Sequence, residues 1–300
     1  NDKRRRKMNQ DKTFLGTEPI GKLLRQLAIP TVIAQLVNML YNIVDRIYIG
    51  HIPGDGDLAL TGVGVCLPLI LIVSAFAALV ASGGAPRASI YMGKQDHDTA
   101  EKILGGCFAL QLAVSALLTA VLLLWSRDLL LAFGASENTI GYAASYMQIY
   151  AVGTVFVQLT LGLNAFITAQ GFAKIGMRTV LIGAVANIVL DPIFIYGLHM
   201  GVRGAALATI LSQLLSAVLV VVTLCRSHQS YQLRPREIRF HGAILKRILQ
   251  IGFPAGLQSV LYSISNIIIQ ASMNIFGTDV LAAWTAYGKL SDLYWMIISA

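Results

Sequence analysis

Two acids stand inside otherwise apolar stretches of this sequence, and their neighbours determine what they could do. Asp45 completes a series with Thr31, Gln35, Asn38 and Asn42, at successive spacings of four, three, four and three residues. That rhythm places all five on one stripe of a helix. Asp191 follows Asn187 by one helical turn, and Pro192 comes directly after it. A proline cannot donate to the carbonyl four residues back, so the helix should bend beside the acid and leave an oxygen free as a ligand. Thr209 adds a hydroxyl on the next apolar stretch. Two carboxylates, an amide and a hydroxyl form an oxygen-donor set that suits either a proton or Na⁺. A shared proton or a bound Na⁺ would each relieve the repulsion between the acids and change how their helices pack. Hydrogen bonding between helices accounts for the Thr and Asn residues of the first stripe. It accounts less well for an acid in hydrocarbon, which is expensive and points to function. For Asp191 the competing reading is a packing kink with the acid capped by its neighbours.

Other polar and aromatic residues carry weaker signals. Gln158, Asn164 and Thr168 could line a cavity together with Gln35, Asn38 and Asn42. Lys289 and Asp292 form an i, i+3 pair that either neutralises itself or faces a cavity. Arg46, next to Asp45, is expected to snorkel to the outer headgroups. Tyr150, Phe156, Tyr262, Trp284 and Tyr287 could stack on flat cations, although such residues at helical spacing usually pack helices. Gly83, Gly84 and Pro86 are expected to close a helix. Residues 16–22 have the spacing of a phosphate-binding loop, but Leu23 stands where Ser or Thr should hold Mg²⁺, and no strand precedes them. The five histidines lie in connectors without metal spacing, and the three cysteines, Cys66, Cys107 and Cys225, are far apart. No catalytic cluster is recognisable. The chain is therefore not expected to be an enzyme, and no cofactor is expected beyond a coupling ion.

The elements that must position these residues are membrane spans. Of 300 residues, 56% are hydrophobic and only 13% charged, with a mean hydropathy of +0.67. Soluble domains carry about 25% charged residues. Apolar runs long enough to cross a bilayer fall at about 27–50, 59–84, 103–125, 142–168, 178–198, 203–225, 248–276 and 280–300, since a span needs about 20 residues. The net charge of +8 sits in alternate connectors. All 23 Lys and Arg residues except Arg46, Arg127, Arg203 and Lys289 lie in the N-terminal tail or in the second, fourth and sixth connectors. This bias predicts a cytoplasmic N-terminus and points to a lipid bilayer rather than nucleic acid as partner. The basic run Lys3–Lys7 reads as a topology anchor that could also touch lipid headgroups. With a rise of about 1.5 Å per residue, Asp45, Asp191 and Thr209 all fall about 7–10 Å below the outer ends of their spans, in one layer.

The opening of the first span, Lys22 to Pro30, returns as Lys246 to Pro254, with Lys, Gln and Pro coinciding at an offset of 224 residues; Asn42 falls on Asn266. Both copies begin on the cytoplasmic side, so the repeats are parallel. The expected organisation is a basic tail at 1–19, a first six-helix lobe at 20–225, a cytoplasmic linker at 226–247, and the first two helices of a second lobe at 248–300. The fold class is an all-α integral membrane protein with two parallel six-helix repeats. The second repeat is expected to continue for four spans beyond Ala300.

The segment Tyr41-Asn42-Ile43-Val44-Asp45-Arg46-Ile47-Tyr48-Ile49-Gly50-His51 resembles the first-span signature of bacterial multidrug and toxic compound extrusion (MATE) transporters. The segments Ala186 to Phe194 and Gly201 to Thr209 are similar to the fifth- and sixth-span signatures of that family. The resemblance covers nearly the whole chain. It implies two lobes of six helices facing a central cavity, with export of cationic amphipathic compounds in exchange for H⁺ or Na⁺. It also implies ion-coupling roles for Asp45, Asn187, Asp191 and Thr209, a bacterial inner-membrane location and a working monomer. The alternative reading is a flippase for lipid-linked oligosaccharides. A cavity for pyrophosphate should be lined by several cations, whereas Lys289 and Arg46 are the only cations inside the spans rather than at their first residues.

Overall fold

In a lipid environment every backbone polar group must be satisfied within the protein, and an apolar run does this most directly as a helix. The computed structural model describes residues 16, 18–226 and 231–273, together with 280, 283–284, 287–288, 291 and 294–295. Among them the regular elements are all helical. They are α1 (Ile20–Gly50), α2 (Gly56–Gly93), α3 (His97–Ala132), α4 (Ile140–Ala169), α5 (Ala173–Pro192), which continues in a π-helical turn (Ile193–Gly197), α6 (Val202–Arg226), a 3₁₀ turn (Pro235–Glu237) and α7 (Gly242–Met273). Six helices, α1 to α6 with the π turn included, are long and apolar enough to span a membrane. They coincide with the first six expected spans, and this is a multi-pass membrane protein. The seventh expected span falls in α7. The eighth, with Lys289 and Asp292, lies outside the described residues apart from isolated positions, as do the side chains of Tyr262 and Asn266.

The lobe is built around α4, which packs against α2, α3 and α6. In its most apolar stretch 61% of residues are buried, against 6% in α1, which lies at the periphery and rests chiefly on α5. Outward-facing Leu117, Leu124 and Val152 form part of the surface that hydrocarbon covers. Two connectors are shaped by Schellman closures. At Gly134 and Gly171 the backbone turns left-handed (φ 98° and 87°), and the next amides, of Ala135 and Phe172, donate back to Leu130 and Ile167 at 2.9 and 3.1 Å. Gln95 occupies the corresponding position after α2 with φ 60°, where a side chain is unfavourable.

The structure corrects one local expectation. Gly83, Gly84 and Pro86 do not close α2, which runs on to Gly93. The small size of the two glycines serves packing instead. A Cβ on Gly83 would strike the Ile248 carbonyl of α7, and one on Gly252 of α7 would strike the Leu79 carbonyl of α2. The two backbones touch along this seam.

From Tyr231 to the start of α7 the chain is docked on the lobe. Tyr231 and Leu233 are buried, and the Tyr231 hydroxyl donates to the Phe166 carbonyl at 3.3 Å. Glu101 of α3, itself buried, pairs with Arg234 at 3.0 Å and accepts from the Gln232 amide at 3.2 Å.

Candidate functional site

The polar stripe of α1 faces a cavity of about 340 Å³. Asn38, Tyr41, Asn42, Asp45 and Arg46 form one wall, Tyr146 and Tyr150 of α4 a second, and Thr209 and Gln213 of α6 a third. Leu67, Ile70 and Leu71 of α2 give it an apolar side. The rings of Tyr146 and Tyr150, one turn apart, stack with centroids 6.2 Å apart at 15°.

Behind Asp45, fully buried, stand Asn187 and Asp191 of α5. Their one-turn spacing brings the amide nitrogen of Asn187 to 3.3 Å from Asp191 Oδ1, to which it donates. The Asp45 and Asp191 carboxyls are near enough to interact directly, and Arg46 and Tyr41 lie within electrostatic reach of Asp45. Among the described residues several oxygens here have no donor: Asp45 Oδ1, Asp191 Oδ2, Asn187 Oδ1 and Gln213 Oε1. Two facing carboxyls in surroundings of low dielectric repel one another, and either a proton or a small hard cation removes that repulsion.

Local geometry explains how α1 and α5 meet. Pro192 ends the regular part of α5, and the π turn that follows redirects the chain. Tyr196 of that turn donates its hydroxyl to the Tyr48 carbonyl of α1 at 2.7 Å, and the two rings meet edge to face at 6.2 Å. π turns recur at functional positions in helices because they re-aim side chains without breaking the helix.

The other expected cavity residues are distributed differently. Gln35 is exposed and stands outside the lining. Gln158 is fully buried in a helix seam, where it donates to the Val73 carbonyl at 2.7 Å. Asn164 packs beside Gly176 of α5. Neither borders the cavity, and Arg46 lines it rather than turning away to the headgroups. Gln213 and Tyr146 were not anticipated from sequence. Gln213 lies one turn from Thr209, and that spacing was the available signal.

The MatE family profile matches residues 30–193, more than half of the chain and inclusive of both acids. The chain belongs to the MatE family. Among relatives of this MatE chain, the multidrug export protein MepA of Staphylococcus haemolyticus (strain JCSC1435) is 26% identical over 279 residues, covering 93% of this chain and 61% of the relative. A crystal structure of MATE in the bent conformation superposes with a TM-score of 0.84 at 27% identity, covering 93% of this chain and 62% of that one. A MOP-superfamily transporter from Pyrococcus furiosus, described as having a binding pocket of reverse polarity that suggests a different function, matches at a TM-score of 0.84 and 26% identity, covering 92% and 61%. The chain thus spans somewhat under two thirds of the length of these MatE relatives.

Proposed function

We propose that this chain provides the ion-coupling lobe of a secondary antiporter that exports cationic amphipathic compounds in exchange for H⁺ or Na⁺. The observation that carries this is the facing pair Asp45 and Asp191, with acceptor oxygens that no donor among the described residues satisfies, set against the wall of an open cavity. Asp191 and Asn187 hold the buried end of the ion site, Asp45 links it to the cavity, and Thr209 offers a hydroxyl across from Asp45. A second lobe of six helices supplies the facing wall. The protein works as a monomer in the bacterial inner membrane, with its N-terminus in the cytoplasm.

An empty site leaves the carboxyls negative and the cavity attractive to an organic cation. Loading the site from outside lowers that negative charge, weakens the hold on the cargo and favours the opposite-facing state. Coupling follows because ion and cargo bind the two states unequally. The names of the multidrug export relatives support drug export as the activity. The cavity wall also argues against a pyrophosphate cargo, since Arg46 is the one cation among its described residues and stands next to Asp45.

The test is ethidium movement in proteoliposomes of the full-length protein, with pH and Na⁺ gradients imposed separately, beside Asp191→Asn. One gradient should drive the dye and the variant should abolish it. Undiminished gradient-driven transport by both Asp191→Asn and Asp45→Asn would sink the mechanism.

A further inference from the structure

A second groove, at the opposite end of α1 and α5 from the acid pair, is not used by that mechanism. It measures about 440 Å³ and is lined by Lys22, Arg25, Gln26, Ile29 and Pro30 of α1 and by Lys174 of α5. On α1 these residues follow the i, i+3, i+4, i+7 rhythm that makes a single stripe. All three cations are exposed at their positions. Lys22 is paired with Glu18 at 2.8 Å, and Arg25 donates its Nε to the Gly21 carbonyl at 3.3 Å. Among the described residues no carboxylate pairs with Arg25 or Lys174. Three cations against one acid leave the groove with excess positive charge. One to two turns further into the membrane, Ile29 is 54% exposed and Pro30 is buried, giving the basic mouth an apolar floor.

We propose that this groove binds the headgroup of an anionic phospholipid from the cytoplasmic leaflet, with the phosphodiester held between Lys22, Arg25 and Lys174 and an acyl chain lying against Ile29. The chemistry commits to a lipid rather than a free anion, because cations at the rim and an exposed aliphatic face just below them match a molecule that is charged at one end only. The position also fits, since Lys22 and Arg25 stand where the polar start of the first span meets its apolar run. Basic pockets between spans on the cytoplasmic side are suited to such headgroups. The bound lipid would tie together the cytoplasmic ends of the two helices whose other ends carry Asp45 and Asp191. The proposal does not depend on the coupling reaction; it depends on the cytoplasmic placement of the N-terminus.

The test is native mass spectrometry of the full-length protein in neutral detergent, titrated with phosphatidylglycerol or with phosphatidylcholine of the same acyl chains. One phosphatidylglycerol should be retained in clear preference. Each of Lys22→Gln, Arg25→Gln and Lys174→Gln should weaken it about fivefold, and the triple variant on the order of a hundredfold. Arg203→Gln, at the far end of α6, should leave retention unchanged. Equal retention of the two lipids overturns the proposal. So does wild-type retention by the triple variant with a loss of thermal stability, which would mean that another part of the protein covers the groove. Inorganic phosphate that displaces the lipid at equal concentration would make it a free-anion site and overturn the lipid assignment. Because lipid retention is read instead of transport, failure here and failure of the antiporter reading are separate results.

Discussion

Asp45 and Asp191 are held differently by their surroundings. Asp191 is fully buried and takes one hydrogen bond from Asn187, whereas Asp45 stands at the cavity wall with Arg46 beside it. If the two carboxyls share one ion, they act as a unit, and removing either removes the function of both. Asp45→Asn alone should therefore lose dye movement as fully as Asp191→Asn, as measured by initial rates. Substantial gradient-driven transport by one of the two variants would mean that the carboxyls do not act as a unit. Tyr196→Phe deletes only the hydroxyl that meets the Tyr48 carbonyl, so it should lower stability by about 1 kcal/mol in thermal unfolding, with the ring contact kept. Asp45, Asn187, Asp191 and Thr209 were legible in the sequence because an acid in an apolar run is conspicuous and helical spacing says which neighbours share its face. Gln213 was not, since one glutamine in a membrane helix is as often a packing contact. Gln158 shows that ambiguity from the other side: its amide satisfies a carbonyl in a helix seam instead of facing the cavity.

At the scale of elements, the spans themselves were readable from hydropathy, and what escaped was how their ends are made. Gly83 and Gly84 read as a helix stop because glycine weakens a helix, yet tertiary contact decides, and the seam with α7 needs a residue without a side chain. Gly83→Val should thus lower thermal stability by at least the roughly 1–3 kcal/mol typical of overpacking, because the obstruction is backbone that cannot rotate away. The reverse holds after α2. Gln95 adopts a left-handed conformation at an exposed position, and Gln95→Gly should raise stability by about 1 kcal/mol in the same assay. Asp96, directly after it, caps α3 by accepting from the Thr99 amide at 3.0 Å. Its hydrogen bonds to Thr99 hold its carboxyl below the ordinary carboxylate range in the folded state. A lowered folded value means that the cap contributes above the unfolded value, near about 3.9, and is lost as pH falls through the folded one. Protection of the Thr99 amide in hydrogen exchange should fall in that acidic window, and Asp96→Asn should remove the pH dependence.

For the molecule as a whole, two features set its arrangement in the membrane, and one experiment reads both. The first is the docking of the segment between α6 and α7, where Glu101 holds Arg234 and the Gln232 amide against the end of α3. The second is the side on which that end lies. Under the proposed topology, the Lys and Arg bias predicts the α2–α3 connector and the segment after α6 in the cytoplasm, and the α3–α4 connector outside. Cys66 and Cys107 are buried, while Cys225 is exposed, so replacing Cys225 with serine leaves a background that a water-soluble maleimide should not label. In that background Glu137→Cys, exposed between α3 and α4, should react in intact cells, and Lys94→Cys, exposed between α2 and α3, only after the membrane is opened. Arg236→Cys, in the docked 3₁₀ turn, should share the sidedness of Lys94→Cys. Adding Glu101→Gln should then speed its labelling severalfold, because the buried carboxylate that anchors the turn is gone while the exposed half of the pair can return to water. Labelling of Lys94→Cys in intact cells would invert the topology. An unchanged rate at Arg236→Cys would mean that Tyr231 and Leu233, packed into the lobe, hold the segment without help from the ion pair.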